Sequence, residues 1–216
     1  MGYDIDLGLI LIQVAVLFLS LSVHESCHAW VADRLGDSTA RSLGRVSFNP
    51  LVHLDPVGSL LFPLVGLLAG GLIFGWAKPV PVNVRNLRHP KQDHLLIAAA
   101  GPLSNLLLAA VCLVGLKMVV GSWTPQTAVG TALLNPLYRL LHFGLLLNVI
   151  LAVFNLLPIP PLDGSWILAG ILPEPLSVFF NRLRPYSLVL LILLLYSGVF
   201  HIILSPILAF VQGLAL

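Results

Sequence analysis

From Leu7 to Val23 the chain carries no charged side chain, and it then enters His24-Glu25-Ser26-Cys27-His28 without a break. A helix rises about 1.5 Å per residue, so His24 lies roughly 25 Å along from Leu7. The hydrocarbon core of a bilayer is about 30 Å thick, which puts this polar cluster near its far side. Ionisable groups at that depth are costly and mark function. One stretch therefore constrains both the environment of the chain and the place to look for chemistry.

The rest of the chain agrees on the environment. Charged residues make up 9% of it and hydrophobic ones 58%, against roughly 25% charged in soluble domains. A formal net charge of +2, with no basic run interleaved with aromatics, argues against nucleic acid as a partner. Cys27 and Cys112 both fall in apolar stretches and form no disulfide framework. Asp4 and Asp6 stand where a secretory signal would carry Lys or Arg, and cleavage after the first apolar run would destroy the histidine motif. The expected fold is an all-α polytopic membrane protein of four to six transmembrane helices. Residues 1–216 form one integral-membrane domain, with a core over 7–172 and a C-terminal helix over 186–212.

Four full spans are expected, at Leu7–Val31, His94–Val120, Leu137–Leu157 and Tyr186–Leu204. The first should end near Gly36, a helix-terminating glycine, and the last at Ser205-Pro206. Gly101-Pro102 should kink or open the second. Val57–Phe74 is apolar but short and broken by Pro63 and several glycines, so it is read as re-entrant. The alternations in Ala40–Phe48 and in Ala77–Val84 predict a small membrane-associated β-hairpin or sheet. Pro79 and Pro81 would confine the latter to an edge, where an unwound substrate could pair by strand addition. If 57–74 only re-enters, nine of the eleven Lys and Arg residues fall on one side, with Lys117 and Arg139 on the other. The positive-inside rule then puts the histidine motif toward the cytoplasmic side of the cell membrane.

The motif reads H-E-x-x-H. On a helix its histidines share one face and can grip one cation, with Glu25 beside them as general base. A catalytic zinc takes three protein ligands and keeps one position open. Asp163, just past the Pro158–Pro161 break, is the best third ligand; His142, His201, Cys27 and Glu174 are placed poorly for it. His53 and Asp55 as a second metal pair are weaker than ordinary turn polarity. Asn105 and Asn155 are candidate donors to an oxyanion, with a buried interhelical hydrogen bond as the equal alternative.

Together, H-E-x-x-H, Gly101-Pro102-Leu103-Ser104-Asn105 and Asn155…Leu162-Asp163-Gly164 resemble the site-2 protease family of intramembrane zinc metallopeptidases. Gly75–Asn83 resembles the corresponding stretch of compact bacterial members, and no PDZ-like insert is evident. The resemblance implies one zinc ion on His24, His28 and Asp163, Glu25 as catalytic acid/base, and Asn105 and Asn155 as substrate or intermediate contacts. It also implies a transmembrane protein as substrate, met within the lipid bilayer. A membrane zinc transporter or scaffold with the same ligands is the competing reading. It has no use for a base beside the metal, so Glu25 separates the two. A zinc protease of another fold, using a Glu ligand, fails because Glu174 is the only other glutamate.

Overall fold

The computed structural model describes residues 6–61, 76–121 and 128–215. The elements are α1 (Leu7–Arg34), the single turn α2 (Thr39–Ser42), α3 (Pro90–Gly121), α4 (Ala128–Leu156), α5 (Asp163–Ile171), α6 (Glu174–Asn181), α7 (Ser187–Tyr196) and α8 (Val199–Ala215). Four stretches are long and apolar enough to cross a membrane: 7–34, 90–121, 134–156 and 174–196. The chain is thus a multi-pass membrane protein.

Lipid gives helices no hydrophobic reason to associate, so close packing must come from small residues and polar contacts. Both are present. Ala29 and Ala32 of α1, Ala98 and Ala109 of α3 and Ala152 of α4 are buried, while Leu103, Leu107, Val111 and Met118 of α3 are exposed. At Gly144 of α4 an added Cβ would stand 2.9 Å from the Cys112 sulfur, so the α3–α4 spacing depends on that missing atom.

The two ends of the bundle are fastened differently. At one end Asp6 caps α1 by accepting the Leu9 N–H, and Arg139 of α4 donates to the same carboxylate at 2.6 Å. These two contacts hold the Asp6 carboxyl below its ordinary range. At the other end α1 stops at Gly36, whose φ of +113° is the backbone state that favours glycine. Asp37 follows and is fully buried. Its carboxylate accepts from the Thr39 and Asn83 backbone N–H groups and from the Thr39 and Asn86 side chains. Burial pushes this carboxyl up, but the donors outweigh it and hold it below its ordinary value. Ala32, Leu87 and Ile97 close a buried cluster beside it. The chain between α1 and α3 therefore leaves one end of the bundle and returns to the same end. α3 then runs outward and α4 back, which brings Asp163 to the side of His24.

Several expectations need correction. No strand is present among the described residues, so the β-hairpin or sheet is not found. Thr39–Ser42 is a helical turn, and Gly44 turns the chain with φ +68°. The stretch 76–83 joins no ladder, for a simple reason. Pro79 and Pro81 have no N–H, while those of Lys78 and Val80 donate to the His53 carbonyl and to Glu25. No donors remain at 78–81 for a ladder or for strand addition. Of the expected re-entrant element, 62–75 lies outside the described residues; Pro56–Leu61 forms one wide π turn. α3 is continuous through Pro102. The fourth apolar stretch is built from α6 and α7, joined at Arg184–Tyr186, rather than from Tyr186–Leu204. The break falls at Ser197-Gly198, where Gly198 has φ +75°, and α8 passes through Pro206.

Candidate metal centre

His24 and His28 sit one turn apart on α1, both buried, with their Nε2 atoms 3.0 Å apart. Asp163, the first residue of α5, places Oδ2 at 3.1 Å from His24 Nε2 and 3.4 Å from His28 Nε2. Donors about 2.0–2.1 Å from a tetrahedral ion stand about 3.3 Å apart, so this triangle matches three corners of such a site. Asp163 Oδ2 is buried and makes no hydrogen bond among the described residues. A buried carboxylate oxygen facing two imidazole nitrogens is what a cation would satisfy. No other group of three His, Cys, Asp or Glu side chains converges this way among the described residues.

The second nitrogen of each ring shows how the donors are aimed. His28 Nδ1 donates to the Ile97 carbonyl at 2.6 Å. His24 Nδ1 donates to Asn105 Oδ1, also at 2.6 Å. Both protons therefore sit on Nδ1, and both Nε2 lone pairs point into the triangle, the usual arrangement of metal-ligating histidines. Gly101 makes the approach possible. A Cβ there would lie 2.3 Å from His28 Nε2 and 2.6 Å from His24 Nε2, inside the space the donors share. Gly164 does the same for Asp163. Its Cβ would meet the Leu156 carbonyl oxygen at 2.2 Å and that of Leu157 at 2.4 Å. The Asp-Gly pair, which reads as a turn signal, is here a close approach of α5 to the end of α4. Trp166 steadies α5 further, with the His94 ring 4.0 Å and the Arg184 guanidinium carbon 3.0 Å from its own ring.

Glu25 lies next round α1 from His24, and its Oε2 accepts the Val80 N–H at 3.0 Å. The stretch 76–83 thus anchors the Glu25 carboxylate. Asn105 is wholly buried. Its carbonyl oxygen is taken by His24, and its amide donates to Asn148 Oδ1 at 2.8 Å. In this structure it supports His24. Asn155 donates to the Leu151 carbonyl one turn back on its own helix.

The residues set aside on sequence stay apart from the triangle. His142 stacks on Tyr138, Glu174 pairs with Lys91 at the surface, and His201 is exposed. His53 is buried, donating from Nε2 to the Ser47 carbonyl near Ser26, and Asp55 caps the turn at Val57 and Gly58. Asn148, Ser20 and Asp37 were not singled out by sequence reasoning; an asparagine at mid-span is the signal that could have found Asn148.

Comparison with known proteins places the chain in a family. The family model described as peptidase family M50 matches residues 124–195, a stretch that includes Asp163. A Bacillus subtilis (strain 168) protein named "Putative zinc metalloprotease YwhC" is 35% identical over 195 residues, 90% of this chain and 84% of that protein. "Putative zinc metalloprotease Rip2" of Mycolicibacterium smegmatis is 35% identical over 161 residues, 73% of this chain but only 56% of the relative. "Zinc metalloprotease MJ0392" of Methanocaldococcus jannaschii is 28% identical over 159 residues, covering 34% of that protein. No solved structure matches. With a relative at 35% identity aligned over most of both chains, and with the motifs in place, the chain belongs to peptidase family M50, the site-2 protease family its sequence resembles.

Proposed function

We propose that this protein is an intramembrane zinc metalloendopeptidase that hydrolyses peptide bonds within or near transmembrane segments of membrane-protein substrates. The observation that carries the reading is the convergence of His24, His28 and Asp163 with Glu25 next to them on α1. His24, His28 and Asp163 would hold the ion. Zinc bound there supplies a Lewis acid for a peptide carbonyl and for water. Glu25 takes the proton from the attacking water and returns it to the leaving amine, the work of a general acid/base. The Val80 N–H positions the Glu25 carboxylate for this by fixing one of its oxygens.

The substrate class follows from place. The donors lie between helices that cross the membrane, so a substrate must reach them in lipid and expose its backbone there. A helical substrate shields its peptide bonds with its own hydrogen bonds and must unwind first. The site lies toward the end of the bundle that carries Arg34, Arg41, Arg45, Lys78, Arg85, Arg88, Lys91, Arg182 and Arg184. The positive-inside rule assigns that end, and the site with it, to the cytoplasmic face of the cell membrane.

The test uses purified protein in detergent with single-span peptides. Wild type should cut them, and both a chelator and Glu25→Gln should stop cleavage, the variant still retaining zinc. Zinc flux through proteoliposomes that survives Glu25→Gln, without any cleavage, would favour a transporter instead.

A further inference from the structure

The two metal-facing histidines are held in the same tautomer by different means. His28 Nδ1 meets a main-chain carbonyl, which can only accept, so its proton is fixed directly. His24 Nδ1 meets Asn105, whose side-chain amide has an accepting end and a donating end. Turned the other way, Asn105 would offer an N–H to Nδ1 and drive the proton onto Nε2, where it would block the ion. Something must therefore fix the direction of that amide.

The structure shows what does. Asn148 Nδ2 lies 2.8 Å from the Gly144 carbonyl, an acceptor only, and 2.9 Å from Ser20 Oγ. The Asn148 amide group is thus committed to Gly144, and its Oδ1 must face Asn105. That oxygen accepts from Asn105 Nδ2 at 2.8 Å, the Ser20 main-chain carbonyl being a second and longer acceptor at 3.5 Å, and this commits the Asn105 oxygen to His24. Asn105, Asn148, Ser20 and His24 are all buried, so water does not compete.

We propose that Asn148 is a positioning residue for the metal centre: through Asn105 it transmits the polarity of the Gly144 carbonyl to His24 and sets which ring nitrogen is free to bind zinc. Asn148 belongs to α4, yet its effect is read on α1. The inference rests on the zinc reading above, but it is tested without turnover. A protein that holds zinc and does not cut fails the earlier reading and leaves this one standing.

The experiment measures zinc affinity by chelator competition on the detergent-purified full chain. It also records ring-nitrogen NMR of metal-free, 15N-histidine-labelled protein, the His24 signals being those missing from His24→Gln. Loss of an outer hydrogen-bond partner typically costs 10–100-fold in metal affinity. Asn148→Leu, similar in volume, should weaken zinc binding by about tenfold or more and leave His24 in mixed tautomers. Asn105→Asp presents an acceptor in either orientation, so Asn105→Asp/Asn148→Leu should recover the loss and the Nδ1–H signature. A general packing defect at position 148 would not be repaired this way. Ser20→Ala, which leaves the Gly144 contact intact, should keep both readouts at wild type and serves if Asn148→Leu folds poorly. The proposal is overturned if Asn148→Leu retains wild-type affinity and tautomer. It is equally overturned if the Asn105→Asp/Asn148→Leu double variant binds no better than Asn148→Leu, or if Ser20→Ala loses the Nδ1–H signature.

Discussion

Gly101→Ala asks whether α1 and α3 meet as closely as described. The added Cβ would stand 2.3 Å from His28 Nε2, 2.6 Å from His24 Nε2 and 2.6 Å from His24 Cε1. Ordinary carbon contacts begin near 3.5 Å, so relief needs a shift of about 1 Å. The imidazoles cannot swing aside cheaply, because each Nδ1 is tied by a 2.6 Å bond. A metal site tolerates only about 0.2 Å of error in its ligand distances. Overpacking costs about 1–3 kcal/mol, and spent on the ligand geometry that is roughly a ten- to hundredfold loss of zinc affinity. Gly115→Ala is the control on the same helix. Its Cβ meets only the flexible end of Leu141 at 3.2 and 3.3 Å, which can yield. Chelator competition, thermal unfolding and peptide cleavage would be compared for both variants. Gly101→Ala should fold, lose zinc and lose activity, while Gly115→Ala should match wild type. A Gly101→Ala protein that binds zinc and cuts normally would refute the packing argument.

Gly164→Ala meets backbone carbonyls at 2.2 and 2.4 Å, so α5 must move and take Asp163 with it. A stability loss of about 1–3 kcal/mol by thermal unfolding, together with weakened zinc retention, is expected. Asp37→Asn should destabilise the protein at neutral pH by about 1–3 kcal/mol, because an amide cannot satisfy all of the buried donors around it. The folded Asp37 carboxyl lies below its ordinary value, so its stabilisation is present above the usual carboxylate range near ~3.9. It fades as pH falls through the lower folded value. The stability gap between wild type and Asp37→Asn, followed from neutral to acidic pH, should therefore narrow at the acid end. A constant gap would show that the contact depends on shape and not on charge.

Much of the site was legible because its parts obey short-range rules. H-E-x-x-H places two imidazoles on one helix face by geometry alone, and charge asymmetry puts Asp163 at the same end as His24, where the structure has it 3.1 Å away. The orientation of Asn105 was not legible, because it depends on Asn148 and Gly144, 43 and 39 residues further along the chain. Alternation in Ala77–Val84 predicts a strand, yet the fate of the Lys78 and Val80 N–H groups is decided by His53 and Glu25. The Asp37 staple to Asn83 and Asn86 escaped for a similar reason. A lone aspartate after a helix carries no local sign of partners brought back by the fold. The fourth apolar stretch was misplaced because Gly198 outweighs Pro206 as a break, and hydropathy does not distinguish them.

X-ray absorption on the zinc-loaded protein tests the central claim most directly. Wild type should bind one zinc per chain through two imidazoles and a carboxylate oxygen. Asp163→Ala should lose the carboxylate from the ion while both histidines remain. Zinc whose surroundings are unchanged in Asp163→Ala, or a wild-type ion without histidine ligands, would contradict the account.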